Sequence, residues 1–186
     1  RGEQEFVFNK GEDPKSSVEI TYRTEAAYNA KDAYYLKCAG EVLTIKLVEN
    51  LREGESGVYG VGARGSASQW PKGVYNFSIS FPCGPENVEK LKGAALAEVN
   101  NLLVNGPSEK DLAKVKEAQK LELKENMKQN RFWINTLNTM LYNGVDFNQI
   151  LQMEAEIDAL TAENIKSAAN KYIATDRIIT VLMPEK

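Results

Sequence analysis

Apolar and polar residues alternate with a period of two in two clear stretches of the chain. Val18, Ile20 and Tyr22 share one face of 17–22, and Tyr75, Phe77, Ile79 and Phe81 alternate with Asn76, Ser78 and Ser80 across 74–82. Both patterns predict half-buried strands. Shorter strands are predicted over 5–9 and 178–183, and a glycine-rich one over 57–65. The last is separated from 74–82 by a break at 69–72 that contains Pro71. Two strands joined by so short a connection predict an antiparallel hairpin.

Between the strands the period changes to that of a helix. Leu36, Ala39, Leu43 and Leu47 form one stripe, widened by Tyr35, Cys38, Val42 and Ile45. So broad an apolar face predicts a heavily buried helix. Asn29 is its predicted cap, with Asp32 three residues on as the partner of a capping box. The helix is expected to run to Leu51 or Arg52, with a polar loop over 53–56. Pro85 suits the first position of the next helix, which continues through Leu91, Ala95, Val99 and Leu102 until Gly106-Pro107 stops it. Further helices are predicted over 109–129, 131–143 and 147–157. Thr161 caps a last one, with Leu160 and Ile165 spaced as a hydrophobic staple. The order is strands, helix, two strands, several helices, strand. That predicts an α+β fold with a mostly antiparallel sheet and helices packed on one face. No linker rich in Pro, Gly or Ser divides residues 1–186, so a single domain is expected.

Composition narrows the chemistry. The 186 residues carry 23 Lys plus Arg against 26 Asp plus Glu, a net charge of −3. A mildly acidic chain is a poor partner for a phosphate backbone, so nucleic acid is not an expected partner. No apolar run approaches the roughly 20 residues of a membrane span. The chain contains no histidine, which removes Ser-His-Asp, Cys-His and His-ligated zinc mechanisms from it. Its two cysteines, Cys38 and Cys83, make neither a disulfide framework nor a zinc cluster. It opens on Arg1-Gly2-Glu3 without an initiator Met and is read as a piece excised from a longer protein.

Six local features bear on chemistry. Gly60-Val-Gly62-Ala-Arg-Gly65 matches a dinucleotide fingerprint, but Ser-Ala-Ser-Gln-Trp-Pro follows where a helix should open. Small residues that admit a close backbone approach explain it better. Cys83 lies just before a helix N-terminus, where the dipole would lower a thiol pKa, yet no base accompanies it. Cys38 reads as a small core residue. The acidic run Glu154, Glu156, Asp158 reads as a solvated helix end, and Trp133 after Arg131-Phe132 as packing between helices. The sixth feature is Arg52 at the end of the buried helix, with Tyr59 seven residues on. A short turn can bring both to one sheet edge. There a guanidinium fork and a phenol hydroxyl suit a peptide carbonyl or a developing oxyanion. An Arg favoured by the helix dipole and an ordinary strand Tyr are the alternative.

The stretch Leu51-Arg-Glu-Gly-Glu-Ser-Gly-Val-Tyr59-Gly-Val resembles a segment of the insulinase-like (pitrilysin-like) zinc metallopeptidases. Other pieces are similar in the same order. They are Lys15-Ser-Ser-Val-Glu-Ile, Phe81-Pro-Cys-Gly-Pro-Glu-Asn-Val-Glu-Lys-Leu, Gly106-Pro-Ser-Glu-Lys-Asp-Leu, Lys124-Glu-Asn, Arg131-Phe-Trp, and Leu160-Thr-Ala-Glu-Asn-Ile. Together they cover nearly all of the chain and look closest to bacterial zinc proteases. The resemblance implies a metallopeptidase-family α/β sandwich domain, and a C-terminal, non-zinc one. In this family the zinc motif is H-x-x-E-H with a distant Glu, carried by another domain, and a chain without His cannot hold it. Arg52 and Tyr59 are then the implied substrate-binding residues, with no catalytic or metal-ligating residue in the isolated chain. No cofactor is expected here, and zinc is expected in the parent enzyme. The implied partners are a peptide or protein substrate and an N-terminal zinc-bearing domain or subunit. A non-catalytic peptide-binding or assembly module is the second reading.

Overall fold

Strands form where the alternation is strongest, because a strand with one apolar face needs a layer to bury it. The computed structural model describes residues 2–54, 58, 60–173 and 176–185, with the backbone alone for 52–54. Among these, the strands are β1 (Glu3–Asn9), β2 (Ser16–Glu25), β3 (Gly62–Ser68), β4 (Val74–Cys83) and β5 (Arg177–Met183). They form one sheet in the order β1-β5-β2-β4-β3. β5–β2, β2–β4 and β4–β3 are antiparallel, whereas β1 and β5 run parallel. The helices are α1 (Ala30–Leu47), α2 (Val88–Asn105), α3 (Glu109–Asn126), α4 (Asn130–Asn143), α5 (Met153–Ala159) and α6 (Ala162–Tyr172). The fold is α+β with a mostly antiparallel sheet, as predicted.

The chain divides into two compact units, Arg1–Ser108 with Ala162–Lys186, and Glu109–Thr161. The first holds the sheet with α1, α2 and α6. Its core lies on one sheet face, where Val18, Ile20 and Tyr22 of β2, Tyr75, Phe77, Ile79 and Phe81 of β4, and Ile179 and Val181 of β5 are each exposed by 2% or less. These helices pack on that face. The predicted stripe of α1 is buried in full at Leu36, Ala39, Leu43 and Leu47. The opposite face carries Ser17, Glu19 and Arg23 into solvent, the usual arrangement for a sheet covered on one side. The second unit is helical. α3 and α5 pack together, and its buried apolar residues include Leu112, Val115, Met140, Ile150, Ile157 and Leu160.

Two predicted boundaries move. The glycine-rich strand expected over 57–65 is β3 at Gly62–Ser68 instead; before it, Val58 makes an isolated antiparallel bridge with Cys83. A run of Gly, Ala and Ser has no alternation to set its register, so pairing with β4 does so. The buried helix also continues past Arg52. α1 ends at Leu47 but leads directly into a π-helical segment, Val48–Gly54, where Leu51 is fully buried. The helical path thus takes in Glu53 and Gly54 of the predicted loop, and the rest of that loop lies outside the described residues.

α1 sits on β3 with almost no space between the backbones. A Cβ placed on Gly40 would lie 2.8 Å from the backbone nitrogen of Gly65, and one placed on Gly65 would overlap the carbonyl of Leu36. Thr44 fastens the contact, its Oγ1 donating to the Gly40 carbonyl at 2.8 Å and accepting from Ala63 N–H at 2.9 Å. Gly65 therefore serves as a seat for the helix.

At the other end of α1, Asn29 caps the helix as predicted, its Oδ1 accepting from Asp32 N–H at 3.0 Å. The reciprocal half of the capping box is replaced, because Asn29 N–H donates to the Tyr75 hydroxyl at 2.7 Å. Asp32 turns to α6 instead, where its Oδ2 accepts from Tyr172 at 2.6 Å and from Lys171 Nζ at 2.8 Å. The Tyr172 ring stacks on Tyr75 with centroids 3.7 Å apart. Partial burial works to raise the Asp32 pKa, but hydrogen bonds from Lys171 and Tyr172 and the Lys171 charge outweigh it and hold the carboxyl below its usual value. Burial, then the bond to Asp32, pushes the Tyr172 hydroxyl up. A carboxyl depressed in the folded state contributes stability above its unfolded pKa, about 4, and loses that contribution as pH falls through the lower folded value. We expect Asp32→Asn to cost about 1–2 kcal/mol at neutral pH. The difference from wild type should narrow below about pH 4. Urea melts at pH 7 and pH 3 measure both; a pH-independent difference would exclude an ionic role.

Candidate functional site

The helical path delivers Arg52 near its end. The backbone places Arg52 within the π-helical segment Val48–Gly54, the turn between α1 and the return to the sheet. π-Helical turns are rare and are found frequently at functional sites, where the extra residue per turn re-aims the side chains that follow. Leu51 anchors this segment in the core beside Arg52, and the Asn50 amide donates to Glu98 of α2 at 2.6 Å. On the return, Val58 bridges to Cys83 at the end of β4. Tyr59, and the side chain of Arg52, lie outside the described residues. The described neighbours place both ends of this turn in the first unit: Leu51 in the core and Val58 against β4.

A cavity of about 310 Å³ lies between α1 and α2 in the same unit. Val42, Leu43 and Leu102 supply apolar wall, and Lys46, Glu98 and Asn101 supply polar groups. Sequence reading did not single it out. Glu98, Asn101 and Asn105 lie at helical spacing on one face of α2, which is legible as a polar stripe. That this stripe meets Lys46 of α1 is not.

The remaining candidates resolve into structural roles. Gly65 is followed by strand to Ser68, and no helix N-terminus is available for a pyrophosphate. Cys38 and Cys83 are fully buried. Burial, with the Glu86 charge adding to it, pushes the Cys83 thiol up, which corrects the lowering expected from the helix dipole. The segment after Cys83 explains this: Pro85–Asn87 is a short 3₁₀ turn, and α2 begins only at Val88. Trp133 donates from Nε1 to the Met127 carbonyl at 2.8 Å and meets Phe132 edge to face, so it packs the α3–α4 junction. In the acidic run, Asp158 pairs with Lys120 at 2.5 Å.

The donor set does not fit zinc. The chain has no histidine, and its thiols are core residues. Among the described residues no group of three or more Cys, Asp or Glu could hold a metal ion. No helix among them is long and apolar enough to cross a membrane.

Comparison with known proteins gives this geometry a context. The chain is 24% identical over 178 residues to the probable zinc protease PqqL of Haemophilus influenzae, covering 89% of the chain and 19% of that protein. The crystal structure of the periplasmic protease PqqL from Escherichia coli superimposes with a TM-score of 0.84 at 22% identity, over 99% of this chain and 21% of that one. A peptidase M16 inactive domain from Pseudomonas fluorescens gives a TM-score of 0.77 at 18% identity, over 99% of this chain and 44% of that one. At these identities the structures show the fold. The chain spans about a fifth of the length of the first two relatives. Residues 1–119, which include the whole Arg52–Tyr59 segment, match the family described as the peptidase M16 inactive domain. The resemblance read from the sequence is thereby shown, and the chain belongs to the peptidase M16 family, as an inactive domain.

Proposed function

We propose that the chain is the substrate-positioning, non-zinc domain of a zinc metalloendopeptidase. Its Arg52 and Tyr59 hold the peptide near a zinc site carried by another part of a longer polypeptide or by a partner subunit. The observation that carries this reading is the family match over residues 1–119, which covers the Arg52–Tyr59 segment in a chain whose own donors do not fit zinc. The fold supports it locally. A fully buried Leu51 precedes Arg52 and the Val58–Cys83 bridge precedes Tyr59, so each residue follows an anchored neighbour, as precise positioning requires.

In this reading the guanidinium donates to the peptide carbonyl next to the scissile bond, and the phenol hydroxyl adds a donor where negative charge develops. The zinc, held elsewhere, supplies the activated water. This chain contributes orientation and charge stabilisation and has no peptidase activity by itself.

The test is kinetic and uses the intact enzyme. Arg52→Ala or Tyr59→Phe should lower kcat/KM by about tenfold or more, which corresponds to roughly 1.4 kcal/mol of transition-state stabilisation. A role in charge stabilisation places the loss in kcat, and simple substrate binding places it in KM. Wild-type kinetics in both variants defeats the assigned role. An intact polypeptide and copurifying subunits without an H-x-x-E-H motif would leave the peptide-binding or assembly module as the function.

A further inference from the structure

The sheet of the first unit has two edge strands, β1 and β3, and only β3 is closed. α1 lies along β3, where Thr44 takes up the Ala63 N–H at 2.9 Å and Gly40 packs against the Gly65 backbone. Among the described residues no strand pairs with the outer side of β1. Every residue of β1 is exposed, and its apolar centre, Phe6, Val7 and Phe8, is exposed by 46%, 57% and 51%. An apolar strand paired on one side only is a template for a further strand.

The register fixes which backbone groups are free. The Arg177 N–H donates to the Gly2 carbonyl and the Lys10 N–H to the Met183 carbonyl. β1 and β5 stay in phase between these two bonds, so the even-numbered residues of β1 turn their backbone groups to β5. The N–H and C=O groups of Glu3, Glu5, Val7 and Asn9 therefore point outward. The side chains sort by the pleat. Phe6 and Phe8 stand beside Thr180 and Leu182 on the face without helices, and Glu5 and Val7 stand on the other face.

β1 is acidic at its start and apolar at its centre, and Lys10 follows its end. Set antiparallel against itself with Val7 on a two-fold axis, it is self-complementary. Val7 meets the partner's Val7, Phe6 the partner's Phe8, Glu5 the partner's Asn9, and Gln4 the partner's Lys10. No like charges are opposed, and the outward backbone groups of Glu5, Val7 and Asn9 satisfy one another. An axis at Phe6 would instead set Glu5 against Val7 and Gln4 against Phe8. Both acids are already neutralised within the protomer, Glu3 by Arg177 and Glu5 by Lys92 of α2 at 2.8 Å, so the acidic end does not repel a second strand.

We propose that β1 is a self-association edge, to which β1 of a second copy of this chain adds antiparallel through a two-fold axis at Val7, joining two sheets into one. A two-fold interface needs a surface complementary to itself, and the polarity of β1 selects a second copy as its occupant. The inference does not use Arg52 or Tyr59 and stands apart from the function proposed above.

Sedimentation of the intact polypeptide over a range of concentrations should show a reversible dimer. Val7→Pro removes an outward N–H from each strand at the axis and spares the bonds to β5. The protomer should therefore fold, by circular dichroism, while the dimer weakens by about tenfold or more. Phe8→Glu, which sets a charge against the partner's Phe6, should weaken it similarly. Val104→Glu, at an exposed position on α2, is the control and should leave the dimer intact. The register has its own test. Phe6 and the partner's Phe8 form a non-hydrogen-bonded pair with Cα atoms about 4.5 Å apart, within reach of a disulfide. A mixture of Phe6→Cys and Phe8→Cys chains should cross-link on oxidation faster than either variant alone, since Cys38 and Cys83 are buried. A polypeptide that is monomeric at every concentration would overturn the proposal and leave the edge to a strand of the same polypeptide. A dimer as strong in Val7→Pro and Phe8→Glu as in wild type would overturn it too, as would equal cross-linking in the mixture and the single variants.

Discussion

Gly65→Ala should destabilise the protein severely, whereas Gly62→Ala three residues earlier should not. A methyl group on Gly65 would overlap the Leu36 carbonyl, a backbone atom that cannot rotate away. Relief requires lifting α1 off β3, which breaks the Thr44 bonds to Ala63 and opens the core beneath Leu36. Over-packing in a dense core costs roughly 1–3 kcal/mol, and a clash with backbone belongs at the upper end, about 3 kcal/mol. A Cβ on Gly62 meets no atom within 4 Å, so that variant should stay within about 1 kcal/mol of wild type. Urea denaturation of the two variants decides the matter. Equal stability of the two variants would remove the seat.

Phe77→Ala should cost about 3–5 kcal/mol, the usual range for deleting a buried aromatic ring. Phe77 is fully buried in β4, between Tyr22 of β2 and Gly65 of β3 in the sheet register. Its ring meets Tyr22 edge to face at 6.4 Å. Because its cross-strand neighbour Gly65 has no side chain, the ring borders the place where α1 comes down. Truncation therefore removes both its own burial and one wall of the helix seat. Equilibrium unfolding should show a lower midpoint with an unchanged slope. A cost below about 1 kcal/mol would mean that neighbouring side chains collapse into the space. Since Phe77 and Gly65 adjoin, the double variant should depart from additivity.

Much of the fold was legible in the chain, and the misses have physical causes. β2 and β4 were read closely because alternation survives only where one face is buried. α1 was read from its stripe and its cap, since both are local. β3 was misplaced because Gly, Ala and Ser carry no periodic signal, and its register comes from β4 and α1. The end of the buried helix is expected at Leu51 or Arg52, whereas α1 stops at Leu47 and a π-helical segment carries the path on to Gly54, a change of helical pitch that no apolar period reports. The Cys83 thiol was read from an expected helix dipole, but a 3₁₀ turn intervenes and burial dominates. The spacing of Arg52 and Tyr59 is a feature of the sequence and of the family resemblance; the π-helical segment that holds the Arg52 backbone and the isolated bridge at Val58 are not legible there.

By itself the sequence determined what this protein lacks and where its regular elements lie. A chain without histidine, with two buried-type cysteines, carries no zinc motif, and the periods of two and 3.6 mark its strands and helices. Only the tertiary structure decided how distant segments meet. The parallel pairing of β1 with β5, the seating of α1 on Gly65, the turning of Asp32 from its own cap to Tyr172 and Lys171, and the division into two units all join residues far apart in the chain. Periodicity reports which face of an element is buried. It does not report which element buries it, because apolar burial is non-directional and its partner is selected by shape, backbone approach and hydrogen bonding across the whole fold.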